Sequence, residues 1–280
     1  MVASQGVRRC AVGALGALGA LGLLAGLGGV ALASHKGSIT PVRQSAHTGA
    51  TLLARAMMAN PHQLLSGRFA AVPPDNFPNA ISTEPLAGFP RHGNSYAILT
   101  NGCAQLADHH EYAGRPGCND GGIPVRGVRD LTVLRLVVRV PHNANCLSFR
   151  FRFLSQEFPK FVGSQYNDGF IAELDYTSWS SAFNNPHIDA PHDFAKDSHG
   201  NIITINSAGP EAITKANAAG TTYGGATRVL RASTPITPGV HSLFLSIFDQ
   251  GDRAYDSAAF IDNLTINHRT PCTSGLAVTQ

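Results

Sequence analysis

The chain has 280 residues, a net charge of +3 and only 14% charged residues. No run of Lys or Arg exceeds two residues and no basic stretch is interleaved with aromatics, so nothing here marks a nucleic-acid groove. With 29 Gly and 17 Pro beside so few charges, the composition suits an exported β-rich protein better than a cytosolic helical one.

Arg8 and Arg9 precede an uncharged run of Ala, Gly, Leu and Val that reaches Leu32. Ala31-Leu32-Ala33 then places small residues where a signal peptidase needs them. Residues 1–33 are read as a cleaved secretory signal. An uncleaved anchor is the competing reading, because the apolar run is long enough to span a bilayer. Cleavage implies a secreted, extracellular product with no stable membrane insertion. Residues 34–47 are polar, with Gly37 and Pro41, and read as a flexible linker.

Residues 48–270 read as a single domain, and 271–280 as a tail. Thr48–Leu65 is the one good helical pattern, with Leu52, Leu53, Ala56, Met57 and Leu64 near helical spacing and Pro61 as its breaker. Ser66 to Arg91 is rich in Pro and Asn and predicts an irregular connection carrying at most short strands.

Beyond Tyr96 the period becomes two. Thr132, Leu134, Leu136, Val138 and Val140 alternate with Val133, Arg135, Val137 and Arg139, and Leu147, Phe149, Phe151 and Phe153 alternate with Ser148, Arg150 and Arg152. Such alternation predicts half-buried antiparallel strands. Phe194–Lys196 and Ile202–Ile205 flank a hairpin signal. Thr227–Ala232, Leu243–Asp249 and Ala258–Ile266 add further strands. Many short strands without a second helix imply an all-β fold: an antiparallel β-sandwich, jelly-roll-like, with one short N-terminal helix.

Removal of residues 1–33 takes Cys10 with it and leaves Cys103, Cys118, Cys146 and Cys272. An even count in an exported chain suggests two disulfides, with three pairings open. Cys103–Cys118 with Cys146–Cys272 is favoured, because the first closes a local loop and the second ties the tail to a strand.

Two acidic stretches stand out, SQEFPKFVGSQYND (Ser155–Asp168) and DQGDRAYDSAAF (Asp249–Phe260). Together they resemble the choice-of-anchor L domain, found in secreted and surface-anchored bacterial proteins. That family's pattern reads S-E-E-[YF]-P-x-[YF]-V-G-S-x-[YF]-N-D, then A-D-x-G-D-x-x-Y-D-S-A-V-F. Gln156 departs from it where Glu is usual, and Phe248 where a small residue is usual. Ser95–Asp108 and Thr222–Leu243 resemble further family segments. The resemblance spans roughly Thr48 to Asn267. It implies a non-catalytic extracellular binding or adhesion module.

The same stretches carry the candidate chemistry. Glu157, Asp168, Asp249, Asp252 and Asp256 are the expected metal ligands, and calcium is the expected cofactor. Calcium takes six to eight hard oxygens from flexible loops, and carboxylates crowded without a cation repel one another. The competing reading is that each Asp caps its own turn. His109-His110-Glu111 reads as an exposed loop rather than a metal site. No H-E-x-x-H and no G-x-S-x-G is present. The alternative function is a secreted hydrolase acting on polysaccharide, with Glu157 and Asp256 as its paired carboxylates. Phe158, Phe161, Tyr166, Trp179 and Tyr255 either pin loops or contact an extracellular glycan or protein partner. No nucleic-acid partner is expected.

Overall fold

The strands alternate as the sequence predicts. The computed structural model describes residues 37–42, 47–113, 115, 117–118, 121–182, 185–197, 199–207 and 213–278. The expected signal segment, residues 1–33, lies outside these residues, as do 34–36 and 43–46 of the expected linker.

The first strands are β1 (Ile39–Pro41), β2 (Leu64–Ala71), β3 (Asn79–Ser82), β4 (Tyr96–Thr100) and β5 (Arg129–Val140). Next come β6 (Cys146–Ser155), β7 (Gly169–Leu174), β8 (Ser180–Ala182), β9 (Asn185–Asp189) and β10 (Ile203–Thr204). The last are β11 (Gly225–Ala226), β12 (Leu230–Pro235), β13 (Gly239–Asp249), β14 (Ser257–Asn267) and β15 (Gly275–Val278). One sheet runs β1-β3-β4-β14-β6-β12-β15, with β11 also on β6, and the other runs β10-β7-β13-β5-β2. β8 and β9 form a small ribbon. Every pairing between these strands is antiparallel.

The two sheets enclose one core. Leu134, Leu136 and Val138 of β5, with Leu245 and Ile247 of β13, meet Phe149, Phe151 and Phe153 of β6 and Ile261 of β14. Phe151 lies 4.9 Å from Phe170, ring to ring. Each such side chain contributes about 1.5–3 kcal/mol by leaving water. The chain is therefore an all-β antiparallel sandwich.

The outer faces differ. Over the second sheet, Trp179 and Ile188 cover Val133, Ile171, Phe244 and Phe248. Over the first, Leu86, Phe89, Ala104, Ala107 and Tyr223 cover Leu154, Ala258 and Phe260. The remainder of that face, around Ser148 and Arg150, carries no apolar cover among the described residues.

Several expectations need correction. Part of the supposed linker, Ile39–Pro41, is an edge strand paired with β3. Pro41 is tolerated there because an edge strand need not use every N–H. Part of the supposed tail, Gly275–Val278, is the opposite edge strand, paired with β12. The helix, α1, spans His47–Met57 and not Thr48–Leu65. Ala50, Leu53, Ala54 and Met57 form its buried face, while Leu52 is half exposed and Leu64 has passed into β2. At the hairpin signal between Lys196 and Ile202, Asp197 accepts the His199 and Asn201 N–H groups. The flanks of that signal do not pair as a hairpin, however, because Ile203–Thr204 joins β7 instead. Of the two roles open to Trp179 it takes the pinning one: it is 1% exposed, stacked on Phe248 at 4.7 Å with Nε1 donating to Ser246.

Candidate functional site at the acidic connections

Both acidic stretches cross from one sheet to the other at the same end of the sandwich. The first leaves β6 at Ser155 and enters β7 at Gly169, and the second leaves β13 at Asp249 and enters β14 at Ser257. Ser155 and Ser257 are register partners, and their hydroxyls bond at 2.9 Å. The backbones then join directly, Asn167 N to Gln250 O at 3.0 Å and Gln156 N to Asp256 O at 2.9 Å. The strand order alone brings together two stretches that are far apart in sequence.

Glu157, Asp168 and Asp249 are buried there, and Asp252 is partly exposed beside them. Asp168 accepts Asn101 Nδ2 at 2.8 Å on Oδ2 and Gln250 N at 3.1 Å on Oδ1. Asp249 Oδ1 accepts Asp252 N at 3.3 Å. Asp252 Oδ1 in turn accepts Ala254 N at 2.9 Å, so these two Asp do cap their own turn. The Asp168 N–H supports the Glu157 carboxyl, but Glu157 Oε2 is buried with no partner. Gly251 closes the turn at φ +116°, a conformation that side chains rarely adopt, and a Cβ there would press on Tyr166 at 2.7 Å.

These carboxyls act on one another. Burial, then the charges of Asp168 and Asp252, push Glu157 far above the usual carboxylate range. Burial, then the charges of Asp168, Asp252 and Glu157, do the same to Asp249. Burial raises Asp168 as well, against the hydrogen bonds it accepts. None of the four carboxylates forms an ion pair with Lys or Arg among the described residues. As the side chains stand, no group of three His, Cys, Asp or Glu among the described residues is gathered closely enough to hold a metal ion.

Asp256 is directed elsewhere. Its Oδ2 accepts the Cys103 N–H at 3.3 Å and the Cys118 N–H at 3.0 Å. Those cysteines form one of the two disulfides, Cys103–Cys118, and the other is Cys146–Cys272. The Asp256 carboxyl fills the space beside Gly102 and Gly117, where a Cβ on either glycine would overlap it. Burial raises its pKa to about 7, while the Cys118 and Cys103 N–H groups hold it down. Gln156, at the family's usual Glu position, bonds Asp256 N through Oε1 and Thr222 Oγ1 through Nε2.

Three polar residues here escaped the sequence reading. Asp130 is fully buried, with Oδ1 accepting Gly122 N at 2.7 Å and Oδ2 unpartnered. Its neighbour Arg253 lowers its pKa against the dominant effect of burial. Asn101 bridges Asp168 and Ser257 N. Gln250 ties the second loop to the β8–β9 ribbon through the Ala182 and Asn185 carbonyls. The charged pair Arg129-Asp130 at the mouth of an apolar strand was the available signal for the first.

Phe161, Tyr166 and Tyr255 form a partly exposed aromatic group over the two loops. Phe161 lies 5.3 Å from Tyr166 and 4.8 Å from Tyr255, with Lys160 Nζ 4.9 Å above the Phe161 ring. Phe158 packs against the core. His109 and Glu111 pair at 2.9 Å on the surface, within the Cys103–Cys118 loop.

The family model for the Choice-of-anchor L domain matches residues 127–267, from the turn before β5 to the end of β14. Ser95–Asp108 and the Cys103–Cys118 loop precede the matched region. Among solved structures, TmCBM61 in complex with beta-1,4-galactotriose resembles the chain at 6% identity, a TM-score of 0.27, and coverage of 69% of this chain and 83% of that one. A score that low supports no inference about fold or ligand. No curated protein matches the chain in sequence.

Proposed function

The chain belongs to the Choice-of-anchor L domain family, and from that premise we propose that it is a non-catalytic extracellular binding or adhesion module whose acidic connections are tied by calcium. One observation carries the calcium: Glu157 Oε2 is buried without a partner beside Asp168, Asp249 and Asp252. The donor set is hard oxygen with neither His nor Cys, which suits calcium rather than zinc. Without the ion, the carboxyls relieve their repulsion by retaining protons. The ion would displace those protons and draw the two loops together.

Two disulfides suit an oxidising compartment outside the cytosol. No described helix is long and apolar enough to cross a membrane. The hydrolase reading needs a carboxyl that can touch its substrate. Glu157, Asp168 and Asp249 are only 2%, 0% and 3% exposed. The aromatic group of Phe161, Tyr166 and Tyr255 gives the same loops an outward face for a glycan or protein partner.

Calcium should raise the melting temperature and a chelator should lower it. The gain grows as RT ln(1 + [Ca]/Kd), about 2.7 kcal/mol at a hundredfold excess. Glu157→Gln should abolish the response, whereas Asp256→Asn, which lies beside the disulfide, should keep it. A melting curve indifferent to calcium and chelator, with no calcium by elemental analysis, would overturn the proposal.

A further inference from the structure

The open part of the first sheet's outer face crowds charge of the opposite sign. Arg150 of β6 and Arg231 of β12 are direct register partners. Their chain neighbours Phe149, Phe151, Leu230 and Ala232 fill the core, so both arginines project outward. Arg269 and His268 follow β14 into the same place. With Asn263 and Thr265, these three arginines and His268 line a cavity of about 250 Å³.

No acidic side chain among the described residues lines this cavity. Asp262 faces Arg150 across the β6–β14 pair but is already committed. Its Oδ2 accepts the Arg91 and His92 N–H groups, and its Oδ1 accepts that of Asn263. Arg150, Arg231 and Arg269 form no ion pair among the described residues. Arg231 Nε is buried without a partner. Its guanidinium is held below the usual arginine range by burial and then by Arg269 and Arg150.

Like charges directly opposite on paired strands destabilise a sheet. Three guanidiniums around one acid-free space therefore call for a counter-charge from outside. The planar guanidinium fork matches carboxylate and sulfate oxygens two at a time. The rest of the wall is neutral and suited to hydroxyls: Thr265 Oγ1 bonds Ser148 Oγ at 3.0 Å, and the Asn263 amide stands alongside. A nucleic acid would need a longer basic track with stacking aromatics.

We propose that this cavity binds an acidic polysaccharide, with Arg150, Arg231 and Arg269 gripping its carboxylate or sulfate groups and the neutral wall bonding its hydroxyls. The proposal rests on the binding-module reading but not on the calcium.

The test is calorimetric titration of the full chain with three probes: a galacturonate oligosaccharide, a sulfated oligosaccharide and a neutral oligosaccharide. One or both acidic probes should bind, more weakly as salt rises, and the neutral probe should bind far less. Arg150→Gln and Arg231→Gln should each weaken binding by about tenfold, the worth of one charge-assisted hydrogen bond. Melting curves of the variants establish that they are folded. Undiminished binding in the double variant overturns the cavity, as does a folded chain that binds neither acidic probe. If the parent chain binds the neutral probe but neither acidic probe, the binding module survives and only the acidic cavity falls.

Discussion

At one end of β6, beyond Ser155, Glu157, Asp168 and Asp249 are crowded out of reach of water. Towards the other end, Arg150 lies with Arg231 and Arg269 at the wall of an open cavity. Repulsion is handled differently in the two places. Burial raises the pKa of each acid, because desolvation penalises the charged form, and Glu157, Asp168 and Asp249 accept backbone N–H groups. The arginines keep their charge, because solvent screens it and their long stems can spread. A ligand therefore does different work at each end: a cation would replace protons inside, whereas an anion would replace water outside. Each end also has its own disulfide, Cys103–Cys118 against Asp256 of the second acidic connection and Cys146–Cys272 at the start of β6.

Breaking the two disulfides separately gives the largest expected effect. Their sequence separations are 15 and 126. Chain entropy assigns about 3 kcal/mol to the short loop and roughly 4–5 kcal/mol to the long one. Paired Cys→Ser variants followed by urea denaturation should therefore lose more stability at the basic end. An equal or reversed ranking would mean that contacts around Asp256, and not loop closure, set the value of the acidic-end bond.

Asp193 sharpens the comparison, because it is a buried acid outside both regions. Its Oδ1 accepts Ala172 N and Ala195 N, each at 2.9 Å, and its Oδ2 has no partner. Burial raises its pKa to about 7 despite those hydrogen bonds. The folded form thus holds the proton more tightly than the unfolded form, whose pKa is about 3.9. The stabilisation is complete below that pKa, falls by at most about 1.4 kcal/mol per pH unit through the window, and is lost once pH passes the folded pKa. Asp193→Asn keeps the acceptor and should flatten this decline between about pH 4 and 7. An unchanged slope would assign the pH dependence to the crowded acids alone.

The smallest effect is expected at the arginines. Without ligand, Arg231→Gln should leave stability unchanged or raise it by about 0.2–1 kcal/mol, through relief of the cross-strand repulsion with Arg150. The gain should shrink in high salt. A loss of stability would show that the Arg231 stem packs usefully on the sheet.

Much of this fold was legible in the sequence, because alternation over Thr132–Val140 and Leu147–Phe153 reports one wet and one dry face. The cysteine positions likewise allowed the pairing to be ranked. The edge strands β1 and β15 were not legible. With three and four residues they are too short to show a period. The acidic stretches identified the right loops but not which carboxyl turns where. Asp252 and Asp256 are four residues apart, yet one stays with Glu157 and Asp249 while the other turns to the disulfide. That partition depends on Gly102 and Gly117, which leave room for the Asp256 carboxyl from a distant part of the chain. Trp179 was legible as a residue that pins a loop, but its partners Phe248 and Ser246 on β13 were not, because they lie far away in sequence.

The strand order also determines how the molecule would bear a mechanical load. β1 and β15 are the two rims of one sheet, each held by a single neighbour. Tension applied at both rims would peel three residue pairs on one side and four on the other. On the β15 side the peeling stops at Cys272, where the covalent bond passes the tension to Cys146 at the start of β6. β6 is flanked by β14 and β12, so there the pull is spread over the middle of the sheet. The other rim has no such covalent arrest among the described residues: after β1 the chain leads to α1, so the tension passes to a helix whose buried face is part of the core.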